Sequence, residues 1–175
     1  MRTALASLFV AATLLPASAQ EGQEAKASAN MIDRNEQEAG TVTFEQTKSG
    51  LLLVTVEMTG LPPGPHGFHV HETGECNVAD GFESAGGHLA GGREHGVHVE
   101  GGPHPGDFPN VNVGQDGVLK MEFFTDRLSL SEGEAPLMDM DGSAVVLHSD
   151  PDDYASQPSG EAGDRIACGV ITQPS

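Results

Sequence analysis

Gly67-Phe68-His69-Val70-His71-Glu72 is the stretch from which the fold is read. Its two histidines stand at i and i+2, with Phe68 and Val70 at the alternate positions. On a β-strand, such a pair shares a face and lies within about 7 Å. Both imidazoles can then reach one metal ion while Phe68 and Val70 pack into a core behind them. A strand carrying two solvated histidines satisfies the same pattern, so the surroundings decide. His88, His95, His98, His104 and Asp107 follow, and His148 stands alone further on. His69 and His71 therefore open a metal site that distant parts of the chain complete.

Outward from this stretch the chain reads as strands and loops. A strand begins near Met31, another covers 40–46 (GTVTFEQ), and a third covers 51–58 (LLLVTVEM) after a Lys48-Ser49-Gly50 turn. Residues 61–67 (LPPGPHG) form a rigid connection into the histidine strand. Short strands follow at 109–113, 118–125, 143–148 and 165–172, and an acidic connection spans 126–142. Its Asp139-Met140-Asp141-Gly142 resembles only a fragment of a calcium loop. The sum is an all-β fold of about eight short strands, an antiparallel Greek-key sandwich or flattened barrel with two long loops. The first long loop, 73–108, has no regular pattern and must be held by something other than a core of its own.

Six histidines and one aspartate are too many for one tetrahedral site and suit two metals. His88 follows Gly86-Gly87, where backbone can approach closely, and a deprotonated imidazole binds a metal through each nitrogen. One site would be His69, His71, His88 and His148, all nitrogen, suited to tetragonal copper. The other would be His88, His95, His104 and Asp107, three nitrogens and one oxygen, suited to structural zinc. His98 competes with His95 for the ligand role; the spacing to His104 favours His95. His66 remains for local hydrogen bonding. Cys76 and Cys168 read most simply as one disulfide, with two thiolate ligands as the alternative.

The chain opens with an apolar run after Arg2, ending in Ala17-Ser18-Ala19, as a secretory leader over 1–19 does. A mobile tail is expected at 20–30 and a single domain at 31–175. The expected address is periplasmic or secreted. A formal charge of -18 argues against nucleic acid and anionic membranes as partners.

Beyond these readings, GFHVHE at 67–72, ESAGGH at 83–88, REHG at 93–96, GPHPGDFPN at 102–110, VVLHSDPDDY at 145–154 and GDRIACGVI at 163–171 resemble copper,zinc superoxide dismutases of the exported bacterial type. The resemblance implies an oxidoreductase that converts superoxide to oxygen and hydrogen peroxide. It assigns copper to His69, His71, His88 and His148, and zinc to His88, His95, His104 and Asp107. It also implies a Cys76–Cys168 disulfide, Arg165 as guide for the anionic substrate, and Asp152 linking a copper histidine to a zinc histidine. His88, the bridge, would carry a proton in the cycle. A homodimer is left open.

Two departures stand out against that family. The usual Asn-Pro after the bridging histidine is replaced by Leu89-Ala90-Gly91-Gly92, in a stretch one residue short. Lysines common before the last strand are absent from 154–161, so attraction of the anion would rest on Arg165 and the metal charge. Two other readings compete: an exported copper or zinc buffer or delivery protein, and a relative that kept the fold and lost the chemistry. Neither needs His88, His148 and Arg165 together.

Overall fold

A computed structural model describes residues 26–173; the expected leader and the first part of the expected tail lie outside them. Nine strands form among the described residues: β1 (Lys26–Asp33), β2 (Glu38–Gln46), β3 (Leu52–Met58), β4 (Gly64–His66), β5 (Phe68–His71), β6 (Val111–Val113), β7 (Leu119–Thr125), β8 (Ala144–His148) and β9 (Arg165–Thr172). Seven make one antiparallel sheet in the order β5-β8-β9-β1-β2-β3-β7, and β4 pairs with β6. No α-helix is present among the described residues; only single 3-10 turns occur at Val78–Asp80 and Glu83–Ala85. The expected all-β Greek-key class stands.

Period-two alternation drives the packing. Leu52, Val54, Val56 and Met58 of β3 are buried while Leu53, Thr55 and Glu57 face outward. They meet Phe44 of β2, Leu119 of β7 and Phe68, Val70 and Leu147 in the main core. Gly40 has φ +136°, and a Cβ there would run into the carbonyl of Glu57, so only glycine fits.

Two boundaries differ from the sequence expectation. The tail assigned to 20–30 ends earlier, because β1 starts at Lys26 and pairs from there with Glu45 of β2. Ala27 and Ala29 are fully buried between β2 and β9, where small side chains fit a central strand that lacks β-branched residues. The connection assigned to 61–67 contains β4, paired with β6 through Gly64–Val113 and His66–Val111.

β5 is the hinge of the site. One edge pairs with β8, His69 opposite Val146 and His71 opposite Ala144. Its other edge is covered by the long loop rather than by a strand. Val70 N–H donates to the Gly106 carbonyl (2.9 Å), Leu89 N–H to that of Val70 (2.8 Å) and Glu72 N–H to that of Gly87 (2.9 Å). The unpaired edge of a sheet thus fixes the segments that carry His88, His104 and Asp107. A Cys76–Cys168 disulfide ties the same loop to β9, and Phe82 and Ala85 bury with Ala144 and Val146 beneath it. No free cysteine remains among the described residues, which settles the alternative of thiolate ligands.

Candidate metal centre

Two clusters form, sharing one residue. His69, His71, His88 and His148 make the first; His88, His95, His104 and Asp107 make the second. Within each, the donor atoms all lie within 4.8 Å of one another, and every member is buried. The second cluster takes in His95; His98 is exposed and only edges the Tyr154 ring at 6.2 Å. The ring of His66 is wedged between the carbonyls of His148 and Pro62, each 2.8 Å from a ring nitrogen.

Each ring is aimed by a bond on its outer nitrogen. His69 Nε2–H donates to Asp152 Oδ2 (2.8 Å), which leaves the Nδ1 lone pair turned inward. His71 Nδ1–H donates to the Gly86 carbonyl (3.0 Å), and its Nε2 faces His148 Nε2 at 3.4 Å. His95 Nε2–H donates to Asp152 Oδ1 (3.0 Å). Asp152 therefore spans the two clusters and fixes one tautomer in each. His88 turns Nδ1 to Asp107 Oδ1 (3.0 Å) and Nε2 to the first cluster. Gly160 makes room for this arrangement: a Cβ there would overlap Asp152 Oδ1 and crowd His95 Nε2.

Three buried ring nitrogens have no hydrogen-bond partner: His69 Nδ1, His88 Nε2 and His95 Nδ1. His95 Nδ1 lies 3.0 Å from Asp107 Oδ2, but at an angle no hydrogen bond satisfies, so that approach is electrostatic. Orphaned buried nitrogens are costly unless something else meets them. All three point into the clusters, and a cation in each would satisfy them. The donor sets fit: four imidazoles open to a pocket suit copper, and three imidazoles with a carboxylate suit tetrahedral zinc.

The electrostatics prepare those donors. Burial pushes His88 down to about 4, against its bond to Asp107. Burial, with His69 and His88 close by, lowers His148 to about 3, and burial with His88 nearby holds His71 well below its ordinary value. Neutral imidazoles are the form that binds metal. Burial opposes charge on His95, but Asp107 and Asp152 outweigh it and raise the ring to about 9. Burial also opposes ionisation of the two acids. Their histidine partners nonetheless hold Asp107 and Asp152 well below the usual carboxylate range.

The first cluster opens onto a cavity of about 260 Å³ walled by His71, His88, His148, Ser159, Asp164 and Arg165, with Glu83 on the same wall. Arg165 donates to the carbonyls of Phe82 (2.6 Å) and Gly86 (2.8 Å), and its Nη2 lies 3.4 Å from Glu83 Oε2. The left-handed φ of Phe82, 68°, belongs to the segment that presents its carbonyl to Arg165. Arg34 donates to the carbonyls of Gly81 (2.8 Å) and Arg165 (3.0 Å), tying β1 to the same loop.

Several supports carry no sequence signal. Asn110 exchanges two 2.8 Å bonds with the backbone of Asp152, Gln157 exchanges two 2.9 Å bonds with that of His95, and Arg127 donates to the carbonyl of Asp107 (2.7 Å). Lone amides and arginines in loops show no pattern; a conspicuous one was only the density of histidines.

A family model described as copper/zinc superoxide dismutase matches residues 38–171. A copper-zinc superoxide dismutase of Aquifex aeolicus is 41% identical over 165 residues, covering 93% of this chain and 95% of that protein. One from Caulobacter vibrioides is 42% identical over 138 residues, covering 77% and 78%. Among solved structures, a SOD-like protein from Bacillus subtilis superposes with a TM-score of 0.77 at 35% identity, covering 82% of this chain and 96% of that one.

Proposed function

The chain belongs to the copper/zinc superoxide dismutase family, and from that premise we propose that it disproportionates superoxide: two superoxide anions and two protons give oxygen and hydrogen peroxide. The observation that carries this reading is His88, which faces a four-nitrogen cluster through Nε2 and a three-nitrogen, one-oxygen cluster through Nδ1. We assign copper to His69, His71, His88 and His148, and zinc to His88, His95, His104 and Asp107. Copper supplies a one-electron couple between its two oxidation states; zinc holds charge and geometry without redox chemistry.

The chain's own groups do the rest. Arg165 stays charged at any working pH and has its guanidinium braced by two carbonyls, so it meets the incoming anion in a fixed orientation. Burial of the four rings keeps bulk water from the cluster except through the cavity beside Arg165. His88 can hold a proton at Nε2 while Nδ1 stays anchored, which places that proton beside the bound anion. Asp152 keeps His69 and His95 in one tautomer throughout. A metal buffer needs neither Arg165 at the channel nor a shared ring.

An exported location, periplasmic or secreted, is part of the proposal; the leader-like 1–19 and the disulfide support it. Both clusters are completed by one chain, so a homodimer, if formed, adds nothing to the metal centre. The test is metal content and superoxide consumption of the purified protein, repeated with His88→Ala and Arg165→Ala. Copper and zinc in equal amounts, with activity lost in the first variant and weakened in the second, is expected. Bound copper with no superoxide consumption returns the buffer reading.

A further inference from the structure

The main chain reaches His95 through a segment with little to hold it. Leu89 is still tied to its surroundings: its N–H donates to the Val70 carbonyl (2.8 Å) and its own carbonyl accepts from Gly106 N–H (3.1 Å). Gly91 and Gly92 follow with left-handed φ of 56° and 73°, and residues 91–94 are exposed. Glycine keeps the most backbone freedom of any residue. Within the segment, Arg93 N–H donates to the Ala90 carbonyl (3.0 Å), and Glu94 N–H makes only a long contact to that of Gly101 (3.4 Å). On the far side, Gly96 N–H donates to Oδ2 of Asp107 (3.0 Å), itself a member of the second cluster.

Gln157 supplies what the segment lacks. Its Oε1 accepts from His95 N–H (2.9 Å) and its Nε2 donates to the His95 carbonyl (2.9 Å), so one side-chain amide meets both main-chain groups. Among the described residues no other hydrogen bond reaches either group. The amide is braced in turn. Its Nε2 also donates to the Ala155 carbonyl (3.0 Å), and Asp153 Oδ1 accepts from the N–H groups of Ala155 (2.9 Å) and Ser156 (2.8 Å). Gly160 N–H to the Ser156 carbonyl (2.7 Å) and Asp153 N–H to the Gly160 carbonyl (2.9 Å) close this turn on itself. Asp152 precedes the turn and holds the His95 ring through Nε2 (3.0 Å). Ring and main chain are thus fixed from one side, with the buried, unpartnered Nδ1 turned to the cluster.

We propose that Gln157 is a positioning residue for the zinc site: it binds no metal, and it sets zinc affinity by holding His95 in the ligating position before the metal arrives. The inference deepens the zinc assignment above and rests on it. Without the amide, the glycine-containing segment lets His95 leave the cluster, and zinc binding must then order it. Apparent affinity falls with the fraction of molecules whose ring is in place. Two hydrogen bonds to the main chain are worth about a tenfold change in that fraction. The copper-side rings of His69, His71, His88 and His148 share no hydrogen bond with Gln157 among the described residues, so copper binding is left as it was.

The test titrates the full, copper-loaded protein with cobalt(II), a tetrahedral stand-in for zinc whose visible bands report its binding, and with zinc against a chelator of known affinity. Gln157→Ala removes the amide, and Gln157→Met keeps its length and bulk without the hydrogen bonds. Gln157 is exposed, so neither change disturbs the core. Both variants should bind cobalt and zinc about tenfold more weakly, while copper affinity, measured separately by chelator competition, holds. Unchanged zinc and cobalt affinities in both variants overturn the proposal. Full recovery in Gln157→Met does so too, because packing rather than the amide would then hold His95. An equal loss of copper affinity, the mark of general loosening, also overturns it. A parent protein whose second cluster takes up neither cobalt nor zinc overturns the zinc assignment and this inference together.

Discussion

Asp152 shows how much of the metal centre depends on a residue that binds no metal. Its two oxygens take hydrogen bonds from His69 and His95, one ring in each cluster, and its backbone is held by Asn110. Asp152→Asn keeps the shape but lets one contact become N–H against N–H. Metal affinity should fall 10- to 100-fold, about 1.4 to 3 kcal/mol, with the loss largest where His95 binds. Competition with a chelator of known affinity measures it; an unchanged zinc affinity contradicts the role. The same residues set the pH response of the metal-free protein. His88 and His148 titrate near 4 and 3 when folded, below the ordinary 6.5. The unfolded chain therefore takes up protons first as pH falls. Their contribution is present above 6.5 and is lost between 6.5 and about 3, at about 1.4 kcal/mol per pH unit per ring. His95 works in the opposite direction. Raised to about 9, it contributes fully below 6.5 and loses its contribution as pH climbs through 9. Melting temperatures of the chelated protein should peak near neutrality and decline on both sides. A monotonic rise from pH 5 to 9 counts against the assigned protonation states.

At the scale of elements, β5 and the loop laid along its edge make the site. The loop has almost no core of its own beyond Phe82 and Ala85, so the disulfide does much of the holding. Closing 92 residues of chain removes unfolded-state freedom worth on the order of 4 kcal/mol. Replacing both cysteines by serine should lower stability by that order. It should also loosen the Phe82 and Gly86 carbonyls that brace Arg165, so KM for superoxide rises along with the fall in denaturation midpoint. A stability loss with unchanged kinetics shows that the loop holds itself. Strands with β-branched alternation, such as 52–58 and 165–172, were legible in the sequence. Lys26–Asn30 was not, because its buried residues are alanines whose burial comes from two neighbouring strands. Gly64–His66 was hidden by glycine and proline, which signal a turn where the chain in fact pairs with β6. The two side-chain clusters were legible because histidine crowding is rare by chance. Arg127, Asn110 and Gln157 were not, because each acts on a backbone group far away in sequence.

For the whole molecule, charge is the governing quantity. A protein at -18 repels superoxide at long range, and among the described residues the only arginine or lysine on the channel wall is Arg165, with Glu83 beside it and Asp164 on the same wall. Raising ionic strength screens the repulsion and the attraction together. The rate should therefore change little with salt; a steep fall between low and physiological ionic strength means that attraction dominates after all. Turnover of superoxide by one chain holding copper and zinc on a shared ring is what the two clusters are built for. Its most direct test is superoxide decay after pulsed generation, measured with protein containing both metals and with protein containing zinc alone. Decay should be proportional to copper-loaded protein, with no acceleration by the zinc-only form. Decay as slow with both metals bound as in buffer contradicts it.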